Sequence, residues 1–214
     1  MNAVTPTAQV TERKAKTDAR HEQLLIFARG YFAKHGYEES SLRDIAAAFG
    51  KSAGMITARY PTKDAFFAAV LDADCKEYLE EMSIAAKAEG EVLEVLTNFV
   101  AADYRHQAMQ LQLVRDKLAL WWRKEEHTTR HMLDFLNATR FLLAEILRKA
   151  VSRGELDFLT PNVVLSKMLW DIYIAGYQGA ALRDPDVDAK DRCTSFKIQA
   201  KIMLAGYLIV RATS

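Results

Sequence analysis

Cysteine is nearly absent from this chain. Its 214 residues include only Cys75 and Cys193, which excludes a disulfide framework and leaves two reduced thiols, the pattern expected of a cytoplasmic protein. Long apolar runs are missing too. The longest, about Ile202 to Val210, falls well short of the ~18 residues of a membrane span, so no membrane partner is expected. The first nineteen residues are polar and lack the apolar centre of a signal peptide. No segment alternates as a strand would, so the expected fold class is all-α. Catalytic motifs are absent as well: there is no nucleophile elbow, P-loop or glycine-rich dinucleotide fingerprint, and the carboxylates are scattered along amphipathic helices. Neither catalytic residues nor a cofactor are expected. His127 and His131 stand four apart, a spacing that can hold a metal, but Thr128 occupies the place of the glutamate in H-E-x-x-H. They read as surface histidines in a charged turn, and no metal is expected.

What is present is helical periodicity and an uneven charge. Arg13 to Lys63 carries ten Lys/Arg against five Asp/Glu, although the whole chain is only +1. A basic head on an acidic body suits a polyanion-binding module joined to something else. Residues 1–17 lack apolar periodicity and read as a flexible arm. About nine helices are expected. The first runs from about Asp18 to His35 and ends at Gly36, and two short helices follow. A long helix spans about Lys63 to Lys87, and Gly90 breaks the pattern. Further helices are expected over Val92 to about His106, Met109 to Arg123, Glu126 to Arg153, Thr160–Pro161 to about Leu182, and Asp191 to Arg211. Arg183 to Asp191 reads as an exposed acidic loop.

The most informative stretch is Ser40 to Lys63. Ser41 is a good N-cap, with Asp44 three residues on to complete a capping box. Leu42, Ile45, Ala46 and Phe49 share one face, and Gly50 stands where a left-handed residue ends the helix. Ser52 is placed to cap a second helix, Pro61 stops it, and Thr62 is placed to cap the next. This is the helix-turn-helix pattern, which holds its second helix in the DNA major groove.

Phe32, Gly36 and Tyr37, then Ser41 to Ala46, then Gly50, Ser52, Gly54, Ile56, Tyr60, Pro61, Lys63 and Phe66 form a linked series that resembles the TetR family of transcriptional regulators. The resemblance runs from about Ala19 to Asp72. It implies a helix-turn-helix DNA-binding domain over 18–62 and a ligand-binding and dimerisation body over 63–214. It also implies a recognition helix at Ala53 to Arg59, with Ser52, Ala53, Gly54, Met55, Thr57, Ala58 and Arg59 facing the groove or its walls. Ser41 and Tyr60 join the expected DNA-binding set. Arg43 matches a position that reaches a base or phosphate, and Lys63 a phosphate-contacting lysine. Lys51, Thr57 and the Ala58–Arg59 pair depart from the family pattern, which leaves the base sequence unspecified.

A reading head of this size works as a dimer on two half-sites. From Val163 to Leu182 and again from Phe196 to Val210, apolar residues cover nearly every face, so two faces need burial. Either these helices form a deep monomer core, or the last two helices make a homodimer interface, as the resemblance implies. Large apolar side chains of the middle helices are core or pocket lining. The expected lining of a small, largely apolar ligand is Phe99, Leu118, Trp121, Met132, Phe135, Trp170 and Tyr173. The resulting expectation is a homodimeric repressor released from a near-palindromic double-stranded DNA operator by a small-molecule effector. The competing readings are a helical adaptor without DNA binding and an enzyme on a helical scaffold.

Overall fold

The computed structural model describes residues 6–182 and 189–209. Among them are nine helices: α1 (Pro6–His35), α2 (Leu42–Ala48), α3 (Ala53–Thr57), α4 (Lys63–Lys87), α5 (Val92–Met109), α6 (Leu111–Trp122), α7 (Glu126–Ser152), α8 (Asn162–Leu182) and α9 (Ala189–Leu204). The fold is all-α; the one strand-like feature among these residues is an isolated antiparallel bridge between Leu156 and Leu208. The acidic run from Arg183 to Asp188 lies outside the described residues. No described helix is long and apolar enough to cross a membrane.

Three boundaries differ from the sequence expectation. α1 begins at Pro6, so residues 6–17 are helix rather than an unstructured arm. Proline suits a first helical turn, and the Ala, Gln, Glu, Lys and Arg that follow are good helix formers without any apolar stripe. α8 is capped one residue later than expected. The Pro161 carbonyl accepts from Leu165 N at 3.0 Å, and the Thr160 hydroxyl turns back to the Asp157 carbonyl. α9 stops at Leu204, not near Arg211, because the chain beyond it pairs with the turn after α7. There Asp157 N donates to Tyr207 O and Ile209 N to Glu155 O, both at 2.9 Å.

The chain divides into two compact units, one reaching to Asp74 and the other starting at Cys75. In the first, the head, Phe32 and Phe67 meet edge to face at 4.9 Å, Tyr37 packs on Phe67 at 5.1 Å, and Tyr60 packs on Phe66 at 5.2 Å. Each such aromatic pair adds about 0.5–1.5 kcal/mol beyond its buried area. Ala28, Ile45, Ala46 and Ile56 are buried around these rings. Arg29 ties α1 to α4 through a 2.8 Å ion pair with Asp74.

In the second unit, the body, α5 packs on α9 and α7 on α8. Leu96, Phe99, Leu143, Leu147, Leu169 and Tyr173 lie in one continuous core. α8 buries Leu165, Leu169, Tyr173 and Tyr177 and leaves Val163, Val164 and Met168 exposed. α9 buries Phe196, Ala200 and Leu204 and leaves Ile198 and Ile202 exposed. Of the large side chains on the middle helices, Met109, Trp122 and Phe141 are exposed, whereas Trp121 packs against the core. Adjacent residues diverge by about 100° around a helix, so only one tryptophan of the pair can turn inward.

Gly176 belongs to this packing. A Cβ there would collide with the Tyr104 hydroxyl, whereas a Cβ at Gly179 would meet nothing within 4 Å. Gly176 therefore admits Tyr104 from the same chain. Gly176→Ala should cost about 1–3 kcal/mol by overpacking, while Gly179→Ala should be neutral or gain up to about 1 kcal/mol from helix propensity. Urea denaturation midpoints of the two variants check this; equal midpoints would refute the packing role given to Gly176.

Candidate functional site

The helix-turn-helix is built from local signals. Ser41 Oγ accepts the Asp44 backbone N–H at 3.0 Å and donates to the Asp44 carboxylate at 2.6 Å. Such a cap contributes about 1 kcal/mol. α2 ends in a Schellman turn. Gly50 adopts φ +73°, Gly50 N donates to Ala47 O at 3.0 Å, and Lys51 N donates to Ala46 O at 2.8 Å. Ser52 occupies the N-cap position of α3 without a side-chain capping bond. Thr62 Oγ1 does cap α4, accepting from Ala65 N at 3.0 Å.

This geometry turns Ile45, Ala46 and Ile56 inward and leaves Arg43, Lys51, Ser52, Gly54, Met55, Thr57, Ala58 and Arg59 exposed, with Ser41 and Ala53 half-buried. The exposed row has two guanidinium groups, one ammonium and small residues between them, which lets a nucleic-acid backbone approach closely. Thr57 bonds back to Ala53 O at 3.3 Å. Tyr60 is half-buried, and its hydroxyl lies 2.6 Å from His21 Nε2 on α1. Burial pushes the His21 imidazolium down from its ordinary value and the Tyr60 phenol up from its own. Tyr60 thus fastens the end of the reading head to α1.

Lys63 does not have the free ammonium expected of a phosphate contact. Its Nζ donates to Tyr37 O at 2.9 Å and Ser40 O at 3.1 Å, reaches Glu38 O at 3.4 Å, and sits 4.1 Å above the Tyr37 ring. The ammonium protons are directed at carbonyls where the chain turns from α1 to α2. Lys63 is a bracket holding α4 to that turn.

Residues 25–70 match the family described as bacterial regulatory proteins, tetR family. The matched segment lies in the head, which resembles that family. The chain is similar to the HTH-type transcriptional repressor Rv1474c of Mycobacterium tuberculosis, 33% identical over 99 residues covering 45% of this chain and 50% of that protein. It is also similar to the HTH-type transcriptional repressor AcnR of Corynebacterium diphtheriae, 30% identical over 99 residues covering 46% and 50% respectively. The chain spans about half the length of these relatives. Among solved structures, the transcriptional regulator FadR of Bacillus subtilis in complex with stearoyl-CoA aligns with a TM-score of 0.69 at 16% identity, covering 87% of this chain and 98% of that one. At that identity the likeness concerns the fold.

Phe99, Leu118, Met132, Phe135 and Tyr173 lie in the body core, with Trp121 and Trp170 packed against it. Two described cavities, of about 370 and 690 Å³, are lined by none of the seven. The smaller opens between α8 and α9 over Tyr104 and Gly176. Arg192 lines it and donates to Tyr104 O at 3.3 Å.

The core also contains polar groups that the sequence pattern does not single out. Asp103 on α5 is fully buried; its Oδ2 accepts from the Tyr173 hydroxyl and the Gln107 amide. Asp103 Oδ1 and Gln107 Oε1 make no hydrogen bond among the described residues, and the Tyr177 hydroxyl faces the Lys117 ammonium. Lys117 on α6 is buried beside them, its ammonium 4.9 Å over the Tyr177 ring and 5.6 Å over Phe135. Burial pushes the Asp103 carboxyl up from its ordinary value, opposed by the Tyr173 hydrogen bond and then by the Lys117 charge. Each unmet buried group costs about 1–3 kcal/mol, a cost that pure packing does not call for. The available signal is positional: Asp103, Gln107 and Lys117 fall on the apolar stripes of their helices.

His131 corrects another expectation. It is buried on α7, not at the surface, and His127 is half-buried. Among the described residues no group of His, Cys, Asp and Glu is arranged to hold a metal.

Removing the Lys63 ammonium should loosen the head. Lys63→Met should lower its stability by about 1–3 kcal/mol, the loss of its charge-assisted hydrogen bonds to those carbonyls. Thermal melting of the wild type and variant checks this. An unchanged melt, together with a salt slope of DNA binding flattened by about one, would restore the phosphate role.

Proposed function

We propose that this chain is a homodimeric DNA-binding transcriptional regulator, a repressor, whose α3 enters the major groove and whose body binds a small-molecule effector. The observation that carries this reading is the exposed row Arg43, Ser52, Gly54, Met55, Thr57, Ala58 and Arg59, held rigid by the Gly50 turn over a buried Ile45–Ile56 contact face. The repressor names of its sequence relatives support the direction of control. A fold relative in complex with stearoyl-CoA supports an effector in the body.

Dimerisation follows from the half-apolar outer faces of α8 and α9. Val164, Met168, Ile198 and Ile202 point away from their own core, and a four-helix interface with a second copy would cover them. α4 runs from the Lys63 bracket to Met82 and Ala86 in the body core. An effector favouring a tilted α4 would spoil the spacing of two heads against successive grooves. A coupling of about 1–3 kcal/mol would then give 5–150-fold regulation, and DNA must weaken effector binding by the same factor.

Selection of bound genomic DNA by purified protein should recover a near-palindrome with half-sites about one helical turn apart. On that site Arg43→Ala and Arg59→Ala should weaken binding. Where the arginine meets a phosphate, its removal should also reduce the salt slope by about one. Duplex affinity that does not depend on salt would favour the adaptor reading instead.

Ile202→Asp should convert the dimer to monomer in light scattering while leaving the helical content intact, because it places a charge in the interface centre. A variant that stays dimeric would place the interface elsewhere.

A further inference from the structure

The cleft between α8 and α9 holds a buried cation that no described residue balances. We propose that this cleft receives a small monocarboxylate on an apolar stem, with the carboxylate on the Arg192 guanidinium and the stem against Tyr104, Ile172 and Phe196. This rests on the reading of the body as an effector site and moves that site away from the seven residues expected from the sequence.

Three observations lead there. The first is the state of Arg192. It is only 8% exposed, and its Nε and Nη1 are buried with no hydrogen-bond acceptor among the described residues. Nη2 makes a long 3.3 Å bond to the Tyr104 carbonyl, and the guanidinium lies 5.1 Å from the centre of the Tyr104 ring. Both partners are uncharged. A buried cation without an anion is costly; Lys117, the other buried cation of the body, has Asp103 near it. A carboxylate would supply the missing charge and match the guanidinium fork with two parallel hydrogen bonds. The second observation is space. Arg192 lines the cavity of about 370 Å³, a volume at the small end of ligand sites. Gly176 and Gly179 keep the α8 side of it free of side chains. The third is the make-up of the wall. Tyr104, Ile172 and Phe196 offer an apolar surface, and Asp191, Ser195 and Gln199 complete the polar lining. The Gln199 amide is already bonded to Ser195. Asp191 is exposed, and its repulsion grows with the charge of the ligand, which favours a monoanion over a phosphate dianion.

Binding asks for a small movement. Turning the guanidinium off the Tyr104 ring gives up the long bond to the carbonyl and brings its unmet N–H groups to the cleft. Ser195 and Gln199 stand three residues before Ile198 and Ile202 on α9, so they share a side of that helix. A second copy covering those isoleucines would roof the cleft and keep water from the ion pair.

The test uses the full chain and four probes with a similar stem: 3-phenylpropionate, 3-phenylpropionamide, 3-phenylpropylammonium and 2-phenylethyl phosphate. Binding is read by calorimetry and ligand-observed NMR. The carboxylate should bind about tenfold or more tightly than each of the others, as a charge-assisted pair would give. Arg192→Gln should abolish that preference, and a melting curve establishes that it folds. Gly179→Leu fills the cleft from a position where a Cβ meets nothing within 4 Å. It should weaken the carboxylate about tenfold by occupying its space, and it decides the matter alone if Arg192→Gln does not fold. Equal binding of the amide, the ammonium or the phosphate, no binding of any probe, or no effect of Gly179→Leu would overturn the inference. Dissociation of the Arg192→Gln dimer in light scattering would also overturn it, because the guanidinium would then belong to a carboxylate of the second copy. Duplex DNA binding by the same preparation is scored separately. If DNA binds and the carboxylate does not, the acid site falls and the regulator reading stands. If the carboxylate binds and DNA does not, the regulator reading falls and the acid site stands.

Discussion

A carboxyl group that water does not reach organises the body of this protein. Asp103 is tolerable inside the bundle only because Tyr173 and Gln107 give it hydrogen bonds, and those bonds determine much else. Tyr173 has to stand opposite α5, which sets the rotation of α8. Its backbone carbonyl then accepts from the Tyr104 hydroxyl at 2.8 Å, and Tyr104 in turn needs the missing side chain of Gly176. With α8 rotated this way, Leu165, Leu169 and Tyr177 turn inward and Val164 and Met168 turn outward. A single polar contact thus decides which face of α8 is core and which is exposed. Buried polar groups act this way when each alternative packing would strand one of them.

The head follows the same logic with the charges reversed. Its Lys63 ammonium satisfies carbonyls at the α1–α2 turn, as Asp103 is satisfied by donors in the body. Backbone groups at helix ends need partners, and here a side chain from the next long helix supplies them. The result is a rigid platform for α2 and α3, whose outward residues keep their guanidinium groups out of this bracing. The cations of the head thus differ in place: Lys63 braces the turn, and Arg43 and Arg59 stay exposed.

Much of this is legible in the chain. The Ser41 cap, the Gly50 turn and the Thr62 cap are interactions between residues three to five apart, so their geometry is fixed locally and the sequence displays them. The inward set Ile45, Ala46 and Ile56 follows from helical period alone. The bracing role of Lys63 is not legible, because its partners are 23–26 residues away, a separation at which spacing carries no information. The helical start at Pro6 is hidden for a different reason: apolar periodicity reports burial, and a helix can form on propensity without it. For the body, the pattern identifies the aromatic and aliphatic core residues but not the polar ones among them, since a lone Asp or Lys on a stripe looks like an interruption of it.

The sequence by itself determined the all-α layout of the described residues, the helix-turn-helix and its resemblance to the tetR family, because these depend on period, caps and turn residues that act within a few positions. The tertiary structure alone decided that Lys63 is a bracket, that Gly176 makes room for Tyr104, and that Asp103, Gln107, Lys117 and Tyr177 meet inside one core. Those relations join residues from different helices. The free energy of each depends on what solvent is excluded and which donor faces which acceptor, and the chain acquires both only when the helices pack.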